Sequence, residues 1–315
     1  MDILCLGEML ADIITYPVPD LTFNNGCTTI NSITIQPGGD AFNNAMDLTT
    51  LGNQVAYVGR IGNDAIGSFL LETGKRAGVD MDHVVFSNKP HGKMNILVKP
   101  NGEREFLYFP GTVEEFQFGD IDLSLLDRAK VVQIGSTFHL PMFDGEGSSQ
   151  LLKCAKERGC ITSMDVTTDF SGRWNAIIEP CYPFLDYFLP SIEQAEKIAG
   201  TSEPHEIAQF LLQRGVKHVC IKLGSAGSYY EDAQQRFFCS CYHVRVLETT
   251  GAGDAFVSGF LTALLRGENA EDCVRFATAC SAFVIQAIGA TAGLKDYESI
   301  QRFVKESEPL DISCL

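Results

Sequence analysis

Short apolar runs separated by amphipathic stretches recur along the chain, and their spacing predicts alternating strands and helices. The runs that have the length of buried strands occupy residues 3–7, 54–58, 131–134, 161–165, 187–189 and 218–222. Stretches with helical periodicity lie between them at residues 41–51, 147–157 and 192–199. Because strand–helix–strand repetition joins parallel strands through right-handed crossovers, the pattern predicts an α/β fold.

The pattern changes after residue 222. A short antiparallel addition is predicted at residues 228–230 and 236–239, and two long helices are predicted at 255–265 and 271–288. No low-complexity linker divides the chain. We therefore expect residues 1–315 to form a single domain.

Four further segments alternate apolar and polar residues, as strands with one exposed face do. They lie at residues 13–16, 28–36, 94–99 and 105–109. On this pattern they form either ordinary hairpins that extend the main sheet or a small sheet of their own.

Small residues lead into an acid at the head of a predicted helix in the stretch from Glu248 to Phe256. The turn Gly251-Ala252-Gly253 allows successive backbone N–H groups to converge on one point, at which the helix dipole also directs its positive end. A carboxylate there repels a bound phosphate unless it takes up a proton beside it. Asp254 therefore predicts phosphoryl transfer to a hydroxyl, with Asp254 as the general base. The alternative is that Asp254 only caps a helix after a glycine turn.

Composition argues against two classes of binding partner, nucleic acids and membranes. The chain of 315 residues has 24 basic and 40 acidic side chains, and this net charge of −16 opposes binding to nucleic acid or to an anionic membrane. No apolar run approaches the ~18 residues of a membrane span, and residues 1–7 resemble a first strand rather than a signal peptide.

The cysteines and histidines show no metal-binding spacing. The eleven cysteines include no Cys-x-x-Cys pair, and the histidines include no His-x-x-x-His pair. We therefore assign no zinc, and we expect free thiols in a reducing cytoplasm.

Three glycine-containing motifs occur in the chain, beginning at Gly7 (GEMLAD), Gly38 (GGDAFNNA) and Thr250 (TGAGD). In this order and spacing they resemble the signatures of the PfkB/ribokinase family of carbohydrate kinases, and the resemblance covers nearly the whole chain. It implies a ribokinase-like fold, with a doubly wound, mostly parallel sheet and helices on both faces. It also implies a small β-sheet lid over the sugar, formed by about residues 13–36 and 92–110, through which two copies could form a homodimer.

The resemblance implies ATP-dependent phosphorylation of a sugar hydroxyl, with Mg²⁺ held through the ATP phosphates and water, and it gives the matching positions their roles. The catalytic set is Asp254, Gly251, Ala252 and Gly253. The substrate-binding set is Asp12 (at the end of the first predicted strand), Gly38, Gly39 and Asn43. The nucleotide-binding set is Lys222, Gly224, Ser225, Gly227 and Thr278.

Some assignments have structural alternatives. Asn43 could cap its own helix, Asp12 could be a surface turn residue, and Asp40 could be the N-cap of the helix that follows. Two other hypotheses of function remain in addition to the sugar kinase. One is a nucleoside kinase of the same fold, and the other is a regulatory protein that binds sugar or nucleotide without turnover.

The chain departs from the family pattern at positions near the nucleotide and the acceptor. Ser191 and Gln194 stand where many members carry Asn-x-x-Glu, which puts the water shell of Mg²⁺ in doubt. Glu248 replaces an Asp and Gly293 replaces a Ser beside the monovalent-cation loop, so activation by K⁺ is uncertain. Leu10 stands where ribokinases have an Asn that touches ribose, which disfavours ribose as the acceptor.

Overall fold

The computed structural model describes residues 1–19, 26–101, 103–308 and 310–314, and within them the chain forms fifteen strands and nine α-helices. The strands are β1 (Ile3–Leu6), β2 (Leu10–Tyr16), β3 (Ser32–Gly38), β4 (Val55–Val58), β5 (Arg60–Gly62), β6 (Val85–Ser87), β7 (Lys93–Val98), β8 (Arg104–Phe109), β9 (Val131–Thr137), β10 (Ile161–Val166), β11 (Tyr187–Phe188), β12 (His218–Lys222), β13 (Ser228–Asp232), β14 (Arg236–Cys239) and β15 (Ile312–Cys314). The helices are α1 (Asp40–Thr50), α2 (Ala65–Ala77), α3 (Glu146–Glu157), α4 (Asn175–Ile178), α5 (Ile192–Ala199), α6 (Pro204–Leu212), α7 (Ala252–Leu265), α8 (Ala270–Val284) and α9 (Tyr297–Glu306).

Nine strands form the main sheet in the order β15-β14-β13-β12-β11-β10-β9-β1-β4. The six strands from β4 to β12 in that order pair in parallel, and β13, β14 and β15 add an antiparallel edge. Parallel strands of this kind need helical crossovers, and these bury both faces of the sheet. The predicted antiparallel addition is observed, and β15 extends it by one strand.

Alternate residues of β1 point to opposite sides of the sheet and enter two different apolar cores. Ile3 and Cys5 pack with helices α1, α2, α7, α8 and α9, whereas Leu4 and Leu6 pack with α3, α5 and α6. This two-sided packing confirms the predicted doubly wound α/β fold with helices on both faces.

The four half-exposed segments form a separate sheet in the order β3-β2-β7-β8, so the alternative that they extend the main sheet is wrong. Asp12 and Tyr108 lie in one row across this sheet, joined through Met94, and they share a face. Exposed apolar side chains cover part of the opposite face, including Ile33, Ile35, Leu107 and Phe109. Residues 20–25 and 102 of the predicted lid lie outside the described residues.

Two boundaries differ from the sequence prediction in ways that matter for the site. Helix α7 begins at Ala252 rather than at residue 255, so Asp254 lies within its first turn. Asp12 does not end the first strand, because it lies inside β2 of the small sheet. All eleven cysteines are free thiols. Among the described helices none is long and apolar enough to cross a bilayer.

Candidate active site

Asp254 lies where helices α1 and α7 meet. Gly251, with φ of 78°, is the N-cap of α7, and the Asp254 side chain makes no capping hydrogen bond. It instead accepts a hydrogen bond of 2.8 Å from Nδ2 of Asn43. The alternative that Asp254 only caps its helix is therefore wrong, and so is the alternative that Asn43 caps α1.

The neighbouring amide fixes the backbone of the same acid. Nδ2 of Asn44 donates to the carbonyl oxygen of Asp254 at 3.0 Å and lies 3.4 Å from Oγ of Ser258. The side chains of Asn43, Asn44, Asp254 and Ser258 are all buried. Successive residues of α1 thus hold the carboxylate and the backbone of Asp254 separately, which restricts where that carboxylate can lie.

The turn before α7 requires glycine for steric reasons as well as for its backbone conformation. A Cβ atom on Gly251 would overlap the carbonyl oxygen of Ala290, and a Cβ atom on Gly253 would lie 3.3 Å from Nζ of Lys222. The absence of a side chain on Gly253 leaves room for the Lys222 ammonium beside the start of α7, where the N–H of Ala252 donates to the carbonyl oxygen of Thr249 at 3.2 Å. The turn and the helix dipole give this end of α7 the geometry of an anion site.

A cleft of about 660 Å³ opens in front of this turn. It is lined by all nine of the predicted catalytic and nucleotide-binding residues, namely Gly251, Ala252, Gly253, Asp254, Lys222, Gly224, Ser225, Gly227 and Thr278. Apolar side chains also line the cleft, including Val244, Val246 and Ile285. Since the lining combines convergent polar groups with apolar side chains, the cleft suits a ligand with a phosphate chain and an aromatic base.

The charges at the polar end are mostly acidic. Burial raises the pKa of Asp254 to about 6, with the charge of Asp165 adding to the rise and the Asn43 hydrogen bond and Lys222 opposing it. Burial also raises the pKa of Asp165, against a 2.7 Å ion pair with Lys222. Asp40 has its pKa raised by burial and by Asp254. Asp40 is the first residue of α1, whose N-cap is Gly39, so the alternative of an Asp40 cap is wrong.

The predicted acceptor residues lie on the other side of Asp40 and Asp254, outside the lining of this cleft. A Cβ atom on Gly38 would overlap the Asp12 carboxylate, and one on Gly39 would lie 2.6 Å from the carbonyl oxygen of Glu8. Burial, followed by the charges of Glu8, Asp254 and Glu248, raises the pKa of Asp12 to about 7. Asp12 therefore faces the same space as Asp254, which a surface turn residue would not do.

Several residues of this acceptor side are absent from the sequence prediction. Glu8 is buried and binds Tyr108 Oη at 2.6 Å and Nδ1 of His139 at 3.2 Å. Glu8 lies inside the first glycine motif, but its partners come from β8 and from the segment after β9. A single sequence gives no signal for such long-range pairing.

The small sheet also contacts the loop before α7. Nη1 of Arg104 donates to Oγ1 of Thr250 at 2.8 Å and lies 3.3 Å from the Glu248 carboxylate. Glu248 accepts further hydrogen bonds of 2.8 Å from Thr250 Oγ1 and from the N–H of Gly289. Arg104 thus ties β8 to the glycine turn, and the sequence prediction missed it because nothing in its neighbourhood distinguishes it from a surface charge.

The Ser191 and Gln194 side chains cap the N-terminus of α5. Gln194 Oε1 accepts from the N–H of Ser191 at 2.7 Å, and Ser191 Oγ accepts from the N–H of Gln194 at 3.4 Å. This reciprocal cap occupies both side chains. Among the described residues no group of three or more His, Cys, Asp or Glu side chains has the arrangement of a metal site.

Comparisons with known proteins agree on one family. The model of the pfkB family carbohydrate kinases matches residues 1–296. An uncharacterized sugar kinase of Archaeoglobus fulgidus is 30% identical over 79% of this chain and 98% of its own length. A 2-dehydro-3-deoxygluconokinase of Bacillus subtilis is 26% identical over 84% of this chain and 86% of its own length.

A solved structure gives the same answer for the fold. The ribokinase of Arabidopsis thaliana, complexed with ribose and ATP, superposes with a TM-score of 0.82 at 25% identity, over 97% of this chain and 99% of that one. The ribokinase-like fold implied by the glycine motifs is therefore confirmed. With its family model matched over residues 1–296, the chain belongs to the pfkB family of carbohydrate kinases.

Proposed function

We propose that this protein transfers the γ-phosphoryl group of ATP to a hydroxyl group of a sugar, with Asp254 as the general base. The observation that carries the proposal is the buried 2.8 Å hydrogen bond from Asn43 to the Asp254 carboxylate, at the mouth of a helix N-terminus suited to phosphate. One acid is thereby fixed beside an anion site, between the cleft and the acceptor side.

The proton chemistry follows from the position of Asp254. Because the pKa of Asp254 is about 6, its carboxyl group is mostly ionised near neutral pH and still basic enough to accept a proton from a hydroxyl. Asn43 orients the carboxylate oxygen. The N–H group of Gly253, at the start of α7, and the ammonium of Lys222 would stabilise negative charge on the transferring group.

The nucleotide would occupy the cleft of about 660 Å³. Gly224, Ser225 and Gly227 would face its phosphates and ribose, and Thr278 its base. When bound, MgATP supplies the phosphoryl group and the metal charge that neutralises the phosphates. Asp165 and Glu193, which line the same cleft, would face the hydrated cation in place of the Gln194 side chain that caps α5.

The small sheet would act as the lid. Tyr108 and Arg104, both on β8, reach Glu8 on the acceptor side and Glu248 beside the glycine turn. With these contacts made, the sheet covers the space between Asp12 and Asp254. Exclusion of water from that space would protect ATP from hydrolysis when the sugar is bound.

The proposal is tested by an ADP-release screen over pentoses, hexoses, ketoses, sugar acids and nucleosides, run with the wild type and with Asp254→Asn. We expect turnover of a sugar, and a loss of roughly 10²–10⁴-fold in the variant, because the amide keeps the size but cannot accept the proton. ATP affinity, measured by calorimetry, should persist.

Asp272→Asn is the matched control, because Asp272 is also an acid in the first turn of a helix but is only half-buried and does not line the cleft. Near-normal turnover of Asp254→Asn would remove Asp254 from the role of base. Preferred turnover of a nucleoside would favour the nucleoside kinase, and ATP binding without any turnover would favour the regulatory protein.

The assembly and location also follow as proposals. The exposed apolar face of the lid sheet, with Ile33, Ile35, Leu107 and Phe109, would pair with the same face of a second copy. Light scattering should then show a homodimer that Leu107→Glu disrupts, and a monomeric wild type would refute it. We expect a cytoplasmic enzyme, since eleven free thiols suit a reducing compartment.

A further inference from the structure

We propose that the acceptor is an uncharged sugar, and that sugars bearing a carboxylate or a phosphate group are rejected by the carboxyl groups that surround the acceptor space. This inference rests on the proposed function, since it names the substrate class of the same site. Family membership does not decide the point, because one relative is named for a sugar acid and another was solved with ribose.

Carboxyl groups from four parts of the chain meet around the acceptor space. Glu8 precedes β2, Asp12 lies on β2, Asp40 opens α1 and Asp254 lies in the first turn of α7. The charged groups that act on Asp12 are Glu8, Asp254 and Glu248, and each of them raises its pKa. The raised pKa values of Asp12 and Asp40 leave these two carboxyl groups partly protonated near neutral pH, so an anionic substituent would be repelled mainly by the charges of Glu8 and Asp254, with little water to screen them.

Three of the cations near this space are bound elsewhere or face away from it, and a fourth, Arg173 in the turn that carries Phe170, donates from Nε to Oγ of Ser171 at 3.1 Å. Lys222 is bound to Asp165 at 2.7 Å on the nucleotide side. Arg104, on the same face of the lid sheet as Tyr108, is bound to Glu248 and Thr250. Lys93 lies in the row of Ala11 and so belongs to the opposite face, where its ammonium lies 5.4 Å from the centre of the Phe109 ring.

His139 does not reverse this balance. Burial opposes its protonation, but the hydrogen bond and charge of Glu8 outweigh burial and raise the pKa of the imidazole. A protonated His139 would form an ion pair with Glu8 at 3.2 Å. Its charge would be compensated there, and Asp12, Asp40 and Asp254 would still face the acceptor.

A stack of rings beside Glu8 offers the surface that an uncharged sugar needs. The three rings form a triangle, in which the centre of the His139 ring lies 4.9 Å from that of Tyr108 and 5.1 Å from that of Phe170, and the centres of Tyr108 and Phe170 are 6.0 Å apart. Phe170 is 69% exposed, so this ring remains open to a ligand. Asp169 accepts hydrogen bonds from the N–H groups of Ser171 and Trp174, which hold the turn that carries Phe170.

The C–H face of a sugar packs on aromatic rings, while its hydroxyl groups donate to carboxylates. A ring stack edged by Glu8 and Asp12 supplies both kinds of contact. The carboxylates that edge the rings would repel an anionic substituent. The shape and the charge of the acceptor space therefore both favour an uncharged sugar.

The first experiment compares matched pairs of acceptors with MgATP, measured by ADP release: glucose with gluconate, and fructose with fructose 6-phosphate. In the pair that the enzyme uses, we expect kcat/KM to be at least about 100-fold higher for the uncharged member, as several like charges at close range require. Asp12→Asn should reduce that ratio, because it removes one carboxylate and keeps the side-chain shape.

The second experiment tests the ring stack. Phe170→Ala should raise KM for the uncharged sugar about tenfold, with kcat changed less, because the ring contacts the sugar and not the reacting atoms. Phe86→Ala is the control, since Phe86 is an equally exposed phenylalanine on β6. An unchanged KM in Phe170→Ala would overturn the stack as a sugar surface.

The outcomes separate the inference from the function on which it rests. Turnover of gluconate, fructose 6-phosphate or another anionic sugar at least as fast as the best uncharged sugar would overturn the inference and leave the sugar kinase standing. Failure of every sugar to be phosphorylated, with ATP bound, would overturn both.

Discussion

Replacing Asn43 with alanine removes the donor that holds the Asp254 carboxylate, and the consequence is readable in the pH dependence of turnover. The amide of Asn43 stabilises the ionised form of Asp254 and so lowers the pKa of that acid. Without this donor the pKa of Asp254 should rise. A base must be deprotonated to act, so the rising limb of the pH–rate profile should move to higher pH.

The size of the shift follows from the strength of the bond. A hydrogen bond to a charged group contributes ~1.5–3 kcal/mol, and ~1.36 kcal/mol corresponds to one pKa unit, so we expect a shift of about one to two units. Starting from a pKa of about 6, the ionised fraction at pH 7 should fall about two- to tenfold. Much of the lost activity should return near pH 9.

The assay is kcat/KM for the acceptor at saturating MgATP, measured from about pH 5 to pH 9.5 for the wild type and Asn43→Ala. The difference between the two midpoints is the observable, since bound nucleotide adds the same charges to both. A contribution of Asn43 to sugar binding would appear as a pH-independent factor. Nucleotide affinity should stay almost unchanged, because Asn43 does not line the cleft.

Asn44→Ala is the matched control. It removes the adjacent amide of the same helix, which bonds the backbone of Asp254 instead of its carboxylate. We expect this variant to lose stability without a shift in the pH midpoint. An Asn43→Ala midpoint that stays in place, or an equal shift in Asn44→Ala, would refute Asn43 as the group that tunes the base.

Three other changes test the surroundings of the base. Replacing Na⁺ with K⁺ at constant ionic strength should change activity less than about threefold, which corresponds to ~0.65 kcal/mol of barrier. The reason is that the Glu248 carboxylate is already bound to Arg104, Thr250 and Gly289. A tenfold stimulation by K⁺ would contradict this prediction. Arg104→Gln should lower kcat/KM about tenfold, ~1.4 kcal/mol, and raise sugar-independent ATP hydrolysis, whereas unchanged values for both would refute a role in closing the lid. Gly251→Ala should abolish most turnover, because the added Cβ atom would overlap the carbonyl oxygen of Ala290. Gly267 has a similar φ of 82° but open space around it, so Gly267→Ala should lose only ~1–2 kcal/mol of stability in thermal melts. Equal activity in both variants would contradict a steric requirement at the turn.

Elements with strong local signals were predicted from the sequence alone. The predicted bounds of β12, β14 and α5 match the structure, because each has an apolar pattern ended by a polar or turn residue. The start of α7 was placed three residues late, since glycines usually mark a turn and here the second glycine lies inside the helix. The pair β5 and β6 was missed, because three-residue strands carry too little pattern to distinguish them from loops.

Some residues of the candidate site could also be predicted from local patterns, whereas others could not. The glycine motifs indicated Asp254, Asn43 and the glycine turn, because backbone conformation and charge at a helix start leave a local trace. The Asn43–Asp254 bond, the Glu8–Tyr108 bond and the Arg104–Glu248 pair join residues far apart in the chain, and each depends on how two sheets and two helices pack. Local patterns do not record such packing, so these contacts required the structure.

The 211 positions that separate Asn43 from Asp254 have a consequence for the protein during its synthesis. At typical translation rates of ~5–20 residues per second, a ribosome releases the acceptor-side residues of β2 and α1 roughly 10–40 s before α7. Throughout that interval the nascent chain lacks Asp254 and the glycine turn. With Asp254 as the proposed base, we expect that an incomplete chain ending before α7 does not phosphorylate a sugar, and that phosphoryl transfer begins only when nearly the whole fold is assembled.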